Sequence, residues 1–159
     1  MKFTNSLIKG KLLKRYKRFF ADIKVNNKII TAHCPNTGSM QGLLDEGNEV
    51  LVTKHDDPKR KLKFTLEIIK AKKRYVGVNT HRANKIVNHG LENKLISEFK
   101  TIKNIKPEFK FSDDTRFDFL CDDNLIEVKN VTLFRENDIA EFPDCLLYTS
   151  PSPRDKSSS

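Results

Sequence analysis

Tryptophan is absent, cysteine occurs three times, and no apolar run approaches the ~20 residues a bilayer-spanning helix needs. Each shortage removes a class of protein. Cys34, Cys121 and Cys145 make no CxxC pair and no disulfide framework, and His33, His55, His81 and His89 add no zinc-site spacing to them. The opening MKFTNSLIKG lacks the apolar core of a secretory leader, so the cytoplasm is the expected location and no membrane partner is expected. A nucleotide cofactor is not suggested, because neither a GxxxxGK[ST] nor a GxGxxG loop occurs.

What is present is positive charge, unevenly placed. The net charge is +9. An AT-rich coding bias would raise lysine everywhere, but here the signs are segregated. Residues 1–80 hold 18 Lys+Arg against 7 Asp+Glu, whereas residues 112–144 hold 3 against 10. A basic N-terminal half favours a polyanionic partner.

Residues 11–34 read as a β-hairpin, with FFADIKV and IITAHC as strands about an NNK turn. A Pro- and Gly-marked loop follows, with one helical turn expected at MQGLL. NEVLVTKH, LKFTLEIIKA and RYVGVNT complete five short strands within residues 1–80, the pattern of a small OB-like barrel. Residues 80–99 then take helical spacing, with Thr80 as expected N-cap and Gly90 as a break between two helical pieces. RFDFL and LIEVKNVTL follow as strands joined by CDDN, which opens a second, α/β domain over residues 81–144.

Residues 145–159 depart abruptly from this pattern. CLLYTSPSPRD reads as a transposon-derived sequencing adapter translated in frame, so the segment is set aside and the natural protein is expected to continue past Asp144.

Two constellations carry chemistry. On a strand, residues two apart share a face, so Glu127 and Lys129 project together while Val128 turns into apolar packing. Asp118, on the neighbouring antiparallel strand, is expected to converge with them. Two adjacent carboxylates suit Mg²⁺ (or Mn²⁺), which binds through one or two acids while keeping waters and phosphate oxygens. A lysine beside such a cation can orient water or stabilise developing phosphorane charge, the chemistry of metal-assisted phosphodiester hydrolysis. The plain alternative is a same-face surface pair worth about 0–1 kcal/mol. The second constellation is basic. KLLKRYKRFF supplies Lys14, Arg15, Lys17 and Arg18 among aromatics, and DPKRKLKF supplies Lys59, Arg60 and Lys61. Cations tracking phosphates beside stacking aromatics are the means by which barrels hold single strands. Here the cations are read as phosphate contacts and Phe19 and Phe20 as barrel core. Arg82, within NTHRAN, is a further candidate phosphate contact, against plain helix capping. No base-reading helix is evident, so binding should be sequence-independent and salt-dependent.

LLKRYKRFFADI, HCPNTGSMQGLL, DDPKRKLKFTLEII, VGVNTHRANKIV and RFDFL…IEVKNVTL…FPD, in that order, resemble the sugar fermentation stimulation protein A family across residues 1–144. The resemblance implies a DNA-binding protein with an N-terminal OB-like domain and a C-terminal domain of the PD-(D/E)xK nuclease type, incomplete here. It implies a DNA/RNA nuclease in which Asp118, Glu127 and Lys129 fill the motif positions. Asp118 and Glu127 would hold the metal, with a further helix-borne acid drawn from Glu92 or Glu98. The alternatives are a non-catalytic DNA-binding regulator of sugar utilisation genes and a basic RNA-associated module.

Overall fold

The computed structural model describes residues 2–134 and 139–142. The proposed adapter segment and Pro143–Asp144 lie outside them. Among the described residues no helix is long and apolar enough to cross a membrane. The chain divides into two compact units: Asn5–Val78 with the described residues after Asn130, and Asn79–Asn130 with the described residues before Asn5.

In the first unit, β1 (Leu7–Tyr16), β2 (Phe20–Val25), β3 (Lys28–His33), β4 (Glu49–Lys54) and β5 (Phe64–Ala71) form a closed, mixed five-stranded barrel of OB type. Antiparallel pairings link β2 to β1 and β3, and β4 to β1 and β5. A short parallel contact, Ala32↔Phe64 and His33↔Thr65, joins β3 to β5 and closes the ring. Closure removes the free edges of these strands, which would otherwise present unpaired backbone groups. Inward positions supply Leu12, Ala21, Ile23, Ala32, Val50, Val52, Leu66 and Ile69, all fully buried, and the β3–β4 loop adds Met40 and Leu43.

The strand count matches expectation, but the membership differs. β1 is a ten-residue strand that begins at Leu7 and runs into the segment read above as one hairpin. Its outward positions include Lys9, Lys11 and Lys14, and its inward ones Gly10 and Leu12, so its alternation is masked by charge on one side and a missing side chain on the other. β6 (Arg74–Gly77), expected inside the barrel, instead extends the sheet from β5. No helical turn forms at MQGLL, where Met40 (φ 51°) and Gly42 (φ 80°) are both left-handed and therefore incompatible with an α-turn.

The second unit is a helix and an antiparallel sheet. Helix α1 spans Thr80–Glu92 and is capped by Asn79, not Thr80: the Asn79 side chain accepts from the His81 backbone N–H at 3.2 Å. The helix also runs through Gly90. A Cβ there would meet the Ile96 side chain at 3.3 Å, so the glycine admits the chain's return after the helix end and does not break it. A 3₁₀ turn at Ser97–Phe99 leads to β7 (Ile105–Lys110), β8 (Arg116–Cys121) and β9 (Asn124–Ile126), ordered β7-β8-β9. Leu91, Ile102, Phe119 and Cys121 form the core, with Val87, Ile96, Ile105, Ile126 and Val128 packed around them. At the β8–β9 turn Asp122 accepts the Asn104 N–H at 2.9 Å and the Lys103 N–H at 3.3 Å, bonds that hold its carboxyl below the usual range. A two-residue pair, β10 (Leu133–Phe134) with β11 (Ala140–Glu141), belongs to the barrel unit.

Gly10 is where the barrel tolerates no side chain. A Cβ at that position would lie 2.6 Å from Ile23 Cγ2 and 3.0 Å from the Lys24 carbonyl oxygen. Gly10→Ala is expected to destabilise the barrel by about 1–3 kcal/mol through overpacking, read as a lower urea midpoint at unchanged slope.

Candidate functional site

Asp118, Glu127 and Lys129 lie around the end of the β8–β9 hairpin. Register runs Cys121↔Asn124, Leu120↔Leu125 and Phe119↔Ile126, so the next opposed pair is Asp118 and Glu127. Opposed residues of an antiparallel pair share a face. The ladder nevertheless stops at Ile126, so Glu127 and Lys129 lie just beyond β9 and not on a strand as expected. The cause is Asp118 itself. Val128 faces Phe117 in this register, but its N–H donates at 2.7 Å to Asp118 Oδ2, so a side-chain acceptor intercepts the ladder bond. The expected facing survives. Val128 packs against the core, while Glu127 and Lys129 are about half-exposed and joined, with Lys129 Nζ 2.9 Å from Glu127 Oε1.

Asp118's other oxygen is held from the helix. Asn84 Nδ2 donates to Asp118 Oδ1 at 2.7 Å. Sequence reading passed over Asn84, although a signal existed: it continues the stripe of Val87 and Leu91 at i, i+3 and i+7, a polar residue on the packing face of α1.

The expected third acid is not delivered. Glu92 accepts from Asn88 Nδ2 at 3.1 Å. Glu98 is exposed, and its carboxyl is lowered by the Ser97 hydroxyl and its own backbone N–H. Among the described residues no group of three or more His, Cys, Asp or Glu is placed to hold a metal. Asp118 and Glu127 offer two hard carboxylates, a donor set that fits an oxygen-preferring divalent cation retaining most of its waters and does not fit a closed zinc site.

The basic residues lie on two loops of the barrel. The β1–β2 turn (residues 17–19) opens beside the end of β3, through Phe20↔His33, and the β4–β5 loop (55–63) opens beside the start of β1, through Leu7↔Thr53. OB folds hold oligonucleotides with these two loops and the β2–β3 face. The cations there have different fates. Lys14, Lys17, Arg18, Lys59 and Lys61 are exposed. Arg15 and Arg60 are partly buried and turned inward. Arg15 Nη2 donates to the carbonyls of Asn36 (2.7 Å) and Arg18 (3.1 Å), and Arg60 Nη2 donates to Thr65 Oγ1 (2.9 Å). Arg15 thereby braces a turn in which Lys17 (φ 49°) and Arg18 (φ 62°) are consecutive left-handed residues. Arg82 belongs to the other unit, where its guanidinium stacks 4.3 Å from the Phe3 ring.

Placing Phe19 and Phe20 in the core needs correction. Phe19 is 48% exposed at the turn tip, and Phe20 stacks on Tyr16 at 5.4 Å with 25° between planes. Lys14 Nζ sits 5.3 Å over the Tyr16 ring, while the Tyr16 hydroxyl donates to Asp22 at 3.2 Å and fixes its orientation. The inward side of β1 and β2 is already filled by Leu12, Ala21 and Ile23, which leaves these aromatics for the surface.

Residues 13–78 match the model of the SfsA N-terminal OB domain, and residues 81–147 match that of the sugar fermentation stimulation protein RE domain. The chain belongs to the sugar fermentation stimulation protein family. It is 65% identical over 150 residues to a sugar fermentation stimulation protein homolog of Pelagibacter ubique, covering 92% of this chain and 65% of that protein. It is 43% identical over 158 residues to a homolog from Alteromonas mediterranea, covering 92% and 66%. The chain thus spans just under two thirds of these relatives' lengths. The solved structure of Pyrococcus furiosus SfsA in complex with Ca²⁺ superposes with a TM-score of 0.73 at 22% identity, over 99% of this chain and 67% of that one. At this identity the likeness establishes the family fold.

Arg15 is expected to act as a brace for the turn. Arg15→Ala should lower stability by about 1–3 kcal/mol, the loss of two carbonyl hydrogen bonds, measured by chemical denaturation. Lys17→Ala, at an exposed tip, should leave the denaturation midpoint unchanged within about 0.5 kcal/mol.

Proposed function

We propose that the protein binds nucleic acid through the β1–β2 and β4–β5 loops of its barrel and hydrolyses phosphodiester bonds at Asp118, Glu127 and Lys129. The observation that carries this reading is at the hairpin end: Lys129 Nζ lies 2.9 Å from Glu127 Oε1, and the N–H of Val128 between them donates to the Asp118 carboxylate. Asp118 and Glu127 would hold Mg²⁺ or Mn²⁺, which when bound supplies charge neutralisation and polarisation of a phosphoryl oxygen. The Pyrococcus furiosus relative was solved with Ca²⁺, a hard cation with the same preference for oxygen ligands, and this supports the choice.

The chain's own groups have distinct tasks. Asp118 presents a carboxylate whose plane is fixed by two donors, the Val128 N–H and the Asn84 amide. Lys129 carries a half-exposed ammonium, bonded to Glu127 Oε1, that would orient a water or meet charge building on a non-bridging oxygen. The exposed Lys14, Lys17, Arg18, Lys59 and Lys61 supply the phosphate contacts, and the Tyr16–Phe20 stack with Phe19 supplies faces for bases. DNA is the favoured polymer on the family resemblance.

One observation favours a second reading, a DNA-binding regulator without turnover: two acids, and no third His, Cys, Asp or Glu clustered with them among the described residues. The two readings part in a paired assay. Cleavage of plasmid and single-stranded DNA should require Mg²⁺ or Mn²⁺, stop in EDTA, and fall at least about 100-fold in Glu127→Ala and Lys129→Ala while binding persists. Cleavage indifferent to both substitutions ends the catalytic reading, and binding without metal-dependent turnover selects the regulator.

Binding itself should weaken linearly in log–log salt titrations. Lys17→Ala should reduce the slope by about one, and Arg15→Ala, occupied by backbone carbonyls, should leave the slope unchanged.

A further inference from the structure

The group that α1 brings to Asp118 is an amide. Asn84 sits one turn ahead of Val87 and two ahead of Leu91 on the face that packs against β8 and β9, so its position is set by the same core that places Phe119 and Val128. Its Nδ2 lies 2.7 Å from Asp118 Oδ1. A carboxylate oxygen can only accept from it, which fixes the amide's orientation. With Val128 N–H on Oδ2, each Asp118 oxygen has one lone-pair direction committed to the protein, and only the remaining directions are open to a ligand.

We infer that Asn84 is the positioning residue of the candidate cation site, and that by placing a neutral donor where the helix meets Asp118 it limits the site to two carboxylates and a weakly held divalent ion. The inference rests on the metal-site reading above and adds to it a residue and an affinity class. Groups that orient a metal ligand typically change cation affinity 10–100-fold when removed. Affinity for hard cations also rises with the number of charged oxygen ligands. Asn84 therefore works in two ways: its N–H orients Asp118, and its lack of charge keeps the site weak.

Mn²⁺ titration by calorimetry, together with thermal denaturation in EDTA and in Mn²⁺, separates this role from mere packing. Asn84→Ala should bind Mn²⁺ about 10–100-fold more weakly than the unmodified protein. Asn84→Asp should melt lower in EDTA, where two carboxylates oppose each other, yet bind Mn²⁺ at least about 10-fold more tightly and show a larger Mn²⁺-induced rise in Tm. A purely structural asparagine would make both variants bind worse in step with lost stability, and that result overturns the inference. Asp118→Ala tells the two failures apart. If it abolishes Mn²⁺ binding while both Asn84 variants bind like the unmodified protein, the inference falls and the metal-site reading stands. If it leaves Mn²⁺ affinity unchanged, or the unmodified protein binds no Mn²⁺, the metal-site reading falls and takes the inference with it.

Discussion

The carboxylate of Asp118 is bonded in two directions, and much of the second unit follows from that. One oxygen takes the Val128 N–H, which shortens β9 to three residues and releases Glu127 and Lys129 from the ladder. The other takes the Asn84 amide and ties α1 to the sheet above the Leu91–Phe119 core. Had the ladder continued, Val128 N–H would have gone to Phe117, and residues 127–129 would have been held at strand geometry. A half-buried polar group must find partners or lose solvation, and here the partners come from a helix and from a strand's own continuation. Local chain direction, helix docking and the exposed acid–lysine pair are consequences of one satisfied side chain.

The barrel solves a different problem, that of carrying sequence-distant basic segments on one closed sheet. Residues 14–18 and 59–61 are separated by more than forty positions. The parallel β3–β5 contact closes the ring and sets the start of β5 beside the end of β3, which pairs in turn with the start of β2 through Phe20↔His33. Closure does not need all of those cations to be free. Arg15 commits Nη2 to the Asn36 and Arg18 carbonyls, and Arg60 commits Nη2 to Thr65, so two arginines stiffen the loops that carry the other cations. Arginine suits this role because its planar fork can serve two carbonyls at once.

Much of this was legible in the sequence, and the failures have physical causes. Four of the barrel strands were legible as short apolar runs between turn signals. β1 was not, because lysines occupy its outer positions and Gly10 one of the inner ones, so neither face reads as a strand. Gly90 reads as a helix break by propensity alone. Its reason for being glycine is tertiary, since a Cβ would press on the Ile96 side chain at 3.3 Å. The facing of Glu127 and Lys129 followed from a period of two, but the end of β9 did not, because a side chain nine positions from Glu127 decides it. Asn84 carried its signal in plain view as a polar residue on an apolar stripe. Phe19 and Phe20 were assigned inward on hydrophobicity, whereas the core volume behind them was already taken by Leu12, Ala21 and Ile23.

The weakness of the Glu127–Lys129 pair bears on what the hairpin end can do. At roughly half exposure for both partners, the 2.9 Å contact is worth about 0–1 kcal/mol. That contact is therefore exchanged for another partner at little cost. Asp118 is the opposite case, held by a backbone N–H and an amide from two separate elements. A site that must accept a cation and a phosphate needs one ligand already in place and others that can be exchanged cheaply. In the proposed reading Asp118 is the fixed ligand, and Glu127 and Lys129 neutralise each other until a cation and a phosphate replace that contact with stronger ones. The same division accounts for the length of β9: a longer ladder would have fixed residues 127–129 and removed the freedom that the exchange requires.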